Sequence, residues 1–163
     1  MDTADDIRFM RLALAEAELA LERDEVPVGA VIVANGGVIA RGHNLCETLN
    51  DFTAHAEMQA FTSASEYLGG KFLDKCTLYV TLEPCPMCAG AAFWTRVGRV
   101  VYGASDPKRG YERWEVADDK KGHGGTVGPN GLLHPSTEIT GGILEEECSQ
   151  IVKDFFVKKR KSN

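Results

Sequence analysis

The sequence predicts a layered α/β domain, and two observations predict it. Short β-rich runs alternate along the chain with stretches whose apolar residues recur at helical spacing, the pattern of helices packed on a sheet. The 163 residues are 44% apolar and 26% charged, ordinary globular composition with enough chain for one core. There is no internal repeat and no Ser/Pro-rich linker, so residues 1–163 are expected to form a single domain.

The first helix spans Asp5 to about Glu22, where Ile7, Met10, Leu14, Ala17 and Leu21 form one apolar stripe. Asp5 and Asp6 sit near its start, where the helix dipole is positive. Ala30-Val31-Ile32-Val33, the turn residues Asn35-Gly36-Gly37 and then Val38-Ile39-Ala40 read as a hairpin. His55 to about Tyr67 is helical in pattern and ends at Gly69-Gly70. Thr77–Leu82 is a strand of the fully buried type. Pro86 suits the first turn of the next helix, since a proline lacks an N–H that would go unpaired there. That helix runs to about Arg96, and Arg99–Tyr102 forms the following strand. Residues 104–135 lose all periodicity, with Gly122, Gly124, Gly125, Gly128 and Gly131, and read as a long Gly-rich loop. Residues 142–161 read as a C-terminal helix with Ile143, Leu144, Cys148, Ile151, Val152, Phe155 and Phe156 on its apolar side.

Composition excludes several function classes. Eighteen Lys and Arg against 24 Asp and Glu leave a net charge of −6, which excludes a uniformly basic nucleic-acid coat but not a local basic patch. No apolar run approaches the roughly 20 residues needed to cross a bilayer, so no membrane partner is expected. The acidic start MDTADDIRFM has no apolar core stretch and does not read as a signal peptide. Five cysteines, an odd number, argue against a disulfide framework and for a reduced, cytoplasmic protein. Cys46, Cys76 and Cys148 are expected to act as small buried hydrophobes.

Two short stretches carry chemistry: Ala54-His55-Ala56-Glu57 and Glu83-Pro84-Cys85-Pro86-Met87-Cys88. An imidazole and two thiolates are three zinc-type ligands, one short of a closed tetrahedral structural site. The fourth position is open to water, which a zinc ion acidifies toward a pKa of about 7. Glu57, two residues past His55, is placed for general acid/base work without being a ligand. Both stretches open helices, whose free N–H groups and positive potential favour thiolate. Alone, the Cys-x-x-Cys reads equally as structural zinc or a redox pair, and His-x-Glu alone is uninformative. Together, with Pro84 directly before Cys85, they match the known signature of zinc-dependent nucleobase deaminases, His-x-Glu followed by Pro-Cys-x-x-Cys.

The chain therefore resembles the cytidine and deoxycytidylate deaminase superfamily, and within it the bacterial tRNA-specific adenosine deaminases. The matching segments are EVPVGAV (25–31), TAHAE (53–57), TLYVTLEPCPMCAGA (77–91), GRVVYGA (98–104) and, from EITGGIL to DFF, 138–156. The resemblance implies a three-layer α/β/α cytidine-deaminase-like fold with a central five-stranded mixed sheet. It implies a homodimer whose partner helps form each pocket, and hydrolysis of a wobble adenosine to inosine in the anticodon loop of an arginine tRNA. Residue by residue, it makes His55, Cys85 and Cys88 ligands of one Zn2+ per subunit and Glu57 the proton shuttle. It makes Asn44 the residue that holds the target nucleotide, and Val28, Pro27 and Ala56 lining of the base pocket. By composition alone, Asn44 is a turn residue, and Val28 and Pro27 are core and turn.

The C-terminal cations Lys158, Lys159 and Arg160, beside Phe155 and Phe156, suit phosphate contact and base stacking, or equally a solvated helix end. The resemblance favours RNA contact. Lys108, Arg109 and Arg113 form a second, weaker patch diluted by Asp106 and Glu112. Three positions depart from the family pattern. Residues 109–135 are longer and richer in Gly, Phe52 replaces the usual Pro ahead of His55, and His134-Pro135 stands where Asn-His is common. The competing functions are a small-molecule deaminase acting on guanine, cytosine or a nucleoside, a non-catalytic zinc protein, and a Cys-x-x-Cys redox protein.

Overall fold

Asn35 and Gly36 both take positive φ, 50° and 75°, which a two-residue hairpin turn requires and which Asn and Gly tolerate best. The turn joins β1 (Gly29–Ala34) to β2 (Gly37–His43) in antiparallel register, as expected from the sequence. The computed structural model describes residues 3–114 and 131–163. Around the hairpin lie α1 (Thr3–Glu22), α2 (Cys46–Leu49), α3 (Ala56–Leu68), β3 (Cys76–Leu82), α4 (Pro86–Thr95) and β4 (Arg99–Ala104). A 3-10 turn at Tyr111–Trp114, β5 (Glu138–Thr140) and α5 (Glu145–Ser162) follow.

The strand order is β2-β1-β3-β4-β5. β1 runs antiparallel to β2 and β3, whereas β3, β4 and β5 are parallel, so the five-stranded sheet is mixed as expected. Strand residues alternate between two apolar clusters because successive side chains leave opposite faces. Ile32, Leu78, Val80 and Val100 pack with Ala56, Ala60, Phe61 and Ala64 of α3 and with Ala89 and Ala92 of α4. Val31, Val33, Tyr79 and Val101 pack with Phe9, Met10 and Ala13 of α1 and with Cys148 of α5. The layers are thus α1 and α5, the sheet, and α3 and α4.

Cys76 and Cys148 are buried, as small apolar residues would be, while Cys46 is only partly so. Helix boundaries depart from the sequence reading where the backbone turns left-handed. Leu144 takes φ 54° and Gly142 φ 85°, so α5 begins at Glu145 rather than at residue 142. Arg96, φ 54°, caps α4 from outside the helix. The fifth strand and the four-residue α2 carry too few residues for a period, so pattern does not place them. Of the expected 104–135 loop, residues 115–130 lie outside the described residues, and the segment before them folds back against Pro84.

Candidate active site

The site forms where two chain segments enter helices side by side. His55 is the N-cap of α3 with φ −71° and ψ 157°, and Cys85 is the N-cap of α4 with φ −72° and ψ 169°. Neither side chain caps its own helix, so both are free to turn toward each other. Pro86 follows Cys85 at the start of α4, as its missing N–H favours, and brings Cys88 round one turn later. His55 Nδ1 lies 3.6 Å from Cys85 Sγ and 3.6 Å from Cys88 Sγ, and the three ligand atoms all fall within 4.8 Å of one another. An imidazole nitrogen and a thiolate on one tetrahedral zinc stand about 3.6 Å apart, given bonds of roughly 2.0–2.1 and 2.3 Å. The residues therefore fit such an ion without rearrangement, and among the described residues they are the one group placed to hold a metal.

Charge in the cluster is already polarised. A hydrogen bond from the Cys88 thiol holds Cys85 down to about 4, against the opposing effect of burial and with help from His55. The same bond, with burial, pushes Cys88 up. The hydrogen bond to Cys85 raises His55, although burial opposes it. Glu57, on the first turn of α3 and 4% exposed, is pushed up to about 7 by burial, while its hydrogen-bonding contact with Cys88 pulls the other way. A carboxyl that exchanges a proton near neutral pH, buried beside three ligands, is equipped for acid and base steps.

The wall beside His55 is built by backbone bonds. Asn44 is buried, its N–H donates to Val28 O at 3.2 Å, and its Oδ1 accepts the Ala56 N–H at 2.9 Å. Val28, Asn44 and Ala56 are thereby tied to the start of α3, with Pro27 buried next to Val28. All four expected pocket residues lie along this one seam.

Residues 4–160 match the family described as MafB19-like deaminase. A tRNA-specific adenosine deaminase of Bacillus subtilis is 45% identical over 161 residues, covering 98% of this chain and 92% of its own. The chain belongs to the tRNA-specific adenosine deaminase family. A structure solved in a study of A-to-I editing by tRNA:A34 deaminases superposes with a TM-score of 0.75 at 44% identity, over 88% of this chain and 98% of its own. A guanine deaminase structure from Bacillus subtilis matches with a TM-score of 0.58, also at 44% identity, but over 60% of this chain and 63% of its own.

In this deaminase the C-terminal helix departs from the sequence reading at two of the residues expected to contact RNA. Phe155 is 7% exposed, because with Cys148 two turns earlier it forms the buried side of α5; it is not an open stacking platform. Phe156, 40% exposed, stands edge-on to it with ring centroids 5.3 Å apart. Lys159 is paired with Asp24 at the end of α1, whereas Lys158 and Arg160 are not held in this way and stand toward the surface.

Two buried carboxylates of the deaminase escaped sequence reasoning. Glu25, 1% exposed, accepts the N–H groups of Glu47 and Thr48 and the Thr48 hydroxyl, anchoring α2. Those bonds hold it below the usual carboxylate range although burial pushes the other way. Glu83, 5% exposed, lies between β3 and Cys85. The signal available for both was a charge set inside an apolar, proline-marked segment.

Proposed function

We propose that this chain hydrolyses the wobble adenosine of a tRNA, an arginine tRNA in the first instance, to inosine. The observation that carries the chemistry is Glu57, buried against the Cys88 thiol beside three ligands spaced for one tetrahedral ion. Relatives named as tRNA-specific adenosine deaminases, 45% identical in the Bacillus subtilis case, support the substrate.

His55, Cys85 and Cys88 would hold one zinc ion, chosen over magnesium or calcium because nitrogen and sulfur are the wrong donors for those hard cations. Zinc in that position supplies an acidified water for hydrolysis. Glu57 does the proton work. Its carboxylate accepts a proton from the attacking water and delivers it to the adenine ring nitrogen, then takes the proton left on the hydroxyl added at C6 and passes it to the amine as the C6–N bond breaks and ammonia leaves. Asn44, Val28, Pro27 and Ala56 line the base pocket and hold the nucleotide. A stacked base does not reach a buried centre, so the substrate adenosine is presented splayed from a single-stranded loop. Lys158, Arg160 and Phe156 are the tail residues placed to meet RNA.

The chain acts as a single-domain subunit of a homodimer in the cytoplasm. Phe93 and Trp94 on α4, 37% and 78% exposed, offer an apolar surface for the second copy. No described helix is long and apolar enough to cross a membrane.

The deciding experiment incubates zinc-loaded protein with an arginine tRNA bearing a wobble adenosine, in parallel with free guanine, cytosine and adenosine. Inosine at that position, with the free compounds untouched, is the expected result. Ammonia from a free base with unchanged RNA would keep the chemistry and overturn the substrate.

A further inference from the structure

Glu83 is a buried carboxylate with no place in the group of His55, Cys85 and Cys88, yet it stands two residues from Cys85. Both of its oxygens are taken by a segment that follows β4. Oε1 accepts the Asp106 N–H and Oε2 accepts the Glu112 N–H, each at 3.2 Å. The backbone adds two more ties, Glu83 N to Ala104 O and Tyr111 N to Pro84 O, both at 2.8 Å. Gly110 lies flush on the carboxylate, since a Cβ there would come within 1.7 Å of Oε2.

The moored segment is a closed turn whose acidic groups engage its own surroundings. Asp106 Oδ1 accepts the N–H groups of Lys108 and Arg109 at 3.1 Å, and Glu112 Oε1 accepts the Tyr102 hydroxyl at 2.6 Å. Arg113 Nη1 donates to Lys108 O at 2.8 Å. The side chains of Lys108 and Arg109 are left at the surface. The acidic residues that dilute this patch in sequence are therefore tied by hydrogen bonds, half-buried Asp106 to the amides of its own turn and exposed Glu112 to the Tyr102 hydroxyl.

We propose that Glu83 is a positioning residue: it sets the 105–113 wall at a fixed place relative to the metal ligand Cys85, and thereby governs affinity for substrate rather than the chemical step. The identity of that substrate as RNA rests on the reading above. Glu83→Gln keeps the volume but presents an NH2 to one of two backbone N–H groups, so one of the two bonds is lost.

The test combines three readouts on Glu83→Gln. Amide exchange across 105–113 is expected to quicken while the rest of β4 is unchanged. The visible spectrum of the cobalt-substituted protein is expected to match the parent, showing an intact ligand set. On an anticodon stem–loop, KM is expected to rise about tenfold, the order of one missing charge-assisted hydrogen bond, with kcat within about twofold. Thr137→Val is the comparator. Thr137 is also buried and donates to Val97 O at 2.8 Å, and its removal is expected to lower stability without moving KM. Unchanged exchange or unchanged KM in Glu83→Gln would overturn the proposal, as would a fall in kcat at constant KM. If Glu83→Gln fails to fold, Gly110→Ala, which displaces the carboxylate from the loop side, must show the same exchange and KM shifts; parental values would overturn it. If the parent protein leaves the stem–loop unedited, the RNA reading fails; the exchange comparison then decides whether Glu83 holds the 105–113 wall, and KM for whichever free base or nucleoside releases ammonia decides whether that wall governs affinity.

Discussion

Asn44 Oδ1 accepts the backbone N–H of Ala56 at 2.9 Å, bonding the end of β2 to the first turn of the helix that carries Glu57 and follows His55. One of the helix's unpaired N-terminal donors is satisfied by a residue twelve positions away. Asn44→Ala is expected to cost about 1 kcal/mol of stability, the usual value of a missing terminal cap. It should also lower kcat/KM well beyond what that loss of folded protein explains. Denaturant titration and steady-state kinetics on the same preparation check both.

Glu57→Gln keeps shape and burial but removes the exchangeable proton. Turnover should fall by about 10²- to 10⁴-fold, the range for removal of a general acid/base. Metal content, measured by atomic absorption, should stay at the parental level, because Glu57 lies outside the ligand group.

Metal loading must strip protons from the ligands. Cys85 is held down to about 4 and is already thiolate at pH 7, whereas Cys88 is raised and still protonated. Zinc binding at pH 7 should therefore release at least one proton, read by calorimetry in buffers of different ionisation enthalpy. Affinity should weaken as pH falls, and chelation should lower the melting temperature, since the ion binds the folded state.

Asp6 and Arg99 form an ion pair across α1 and β4, at 2.7 and 2.8 Å, with side chains 5% and 16% exposed. Burial alone would raise Asp6. The bonds from Arg99 and from the Tyr79 hydroxyl outweigh it and hold the carboxyl below the usual range. A depressed folded value contributes stability above the unfolded value near 3.9, and that stability is lost as pH falls through the folded value. Arg99→Met should cost about 3–5 kcal/mol at neutral pH by stranding a buried charge. The gap between parent and variant should narrow on acidification, starting above the unfolded value, where burial without Arg99 lets Asp6 take up a proton in the variant, and continuing until pH falls through the parent's depressed value. Urea melts at pH 7 and pH 3.5 check the sign.

On the C-terminal helix, Lys158→Ala and Arg160→Ala should each reduce the salt dependence of RNA binding, by roughly 0.7 in the log–log slope for each phosphate the cation neutralises. Lys159→Ala should leave the slope unchanged, because that cation is engaged by Asp24. Filter binding across a salt series separates the three.

Much of this protein is legible in its residues. The apolar stripe of α1, Asn35-Gly36 between two β-rich runs, and Pro86 at the head of α4 encode local structure through interactions within a few residues, so pattern alone places them. The ligand set is legible for a different reason: His55, Glu57, Cys85 and Cys88 each open or follow a helix start, and few chemistries need those donors in that order. β5 and α2 are not, because three or four residues hold no period and exist only by pairing with β4 or by the grip of Glu25 on their amides. The start of α5 is hidden because Leu144 adopts a left-handed backbone that its sequence does not favour.

The chemistry, then, was set by the sequence: donor atoms and a proton carrier are properties of side chains and their order along the chain. Which residues are free to act was decided by the tertiary structure. Phe155 looks like an aromatic platform until packing buries it, and Lys159 looks like a free cation until Asp24 claims it. Glu83 looks like one more acid until its two oxygens are found on backbone amides 23 and 29 residues away. Burial and hydrogen-bond partnership depend on segments distant in the chain, and only their meeting in the fold settles them.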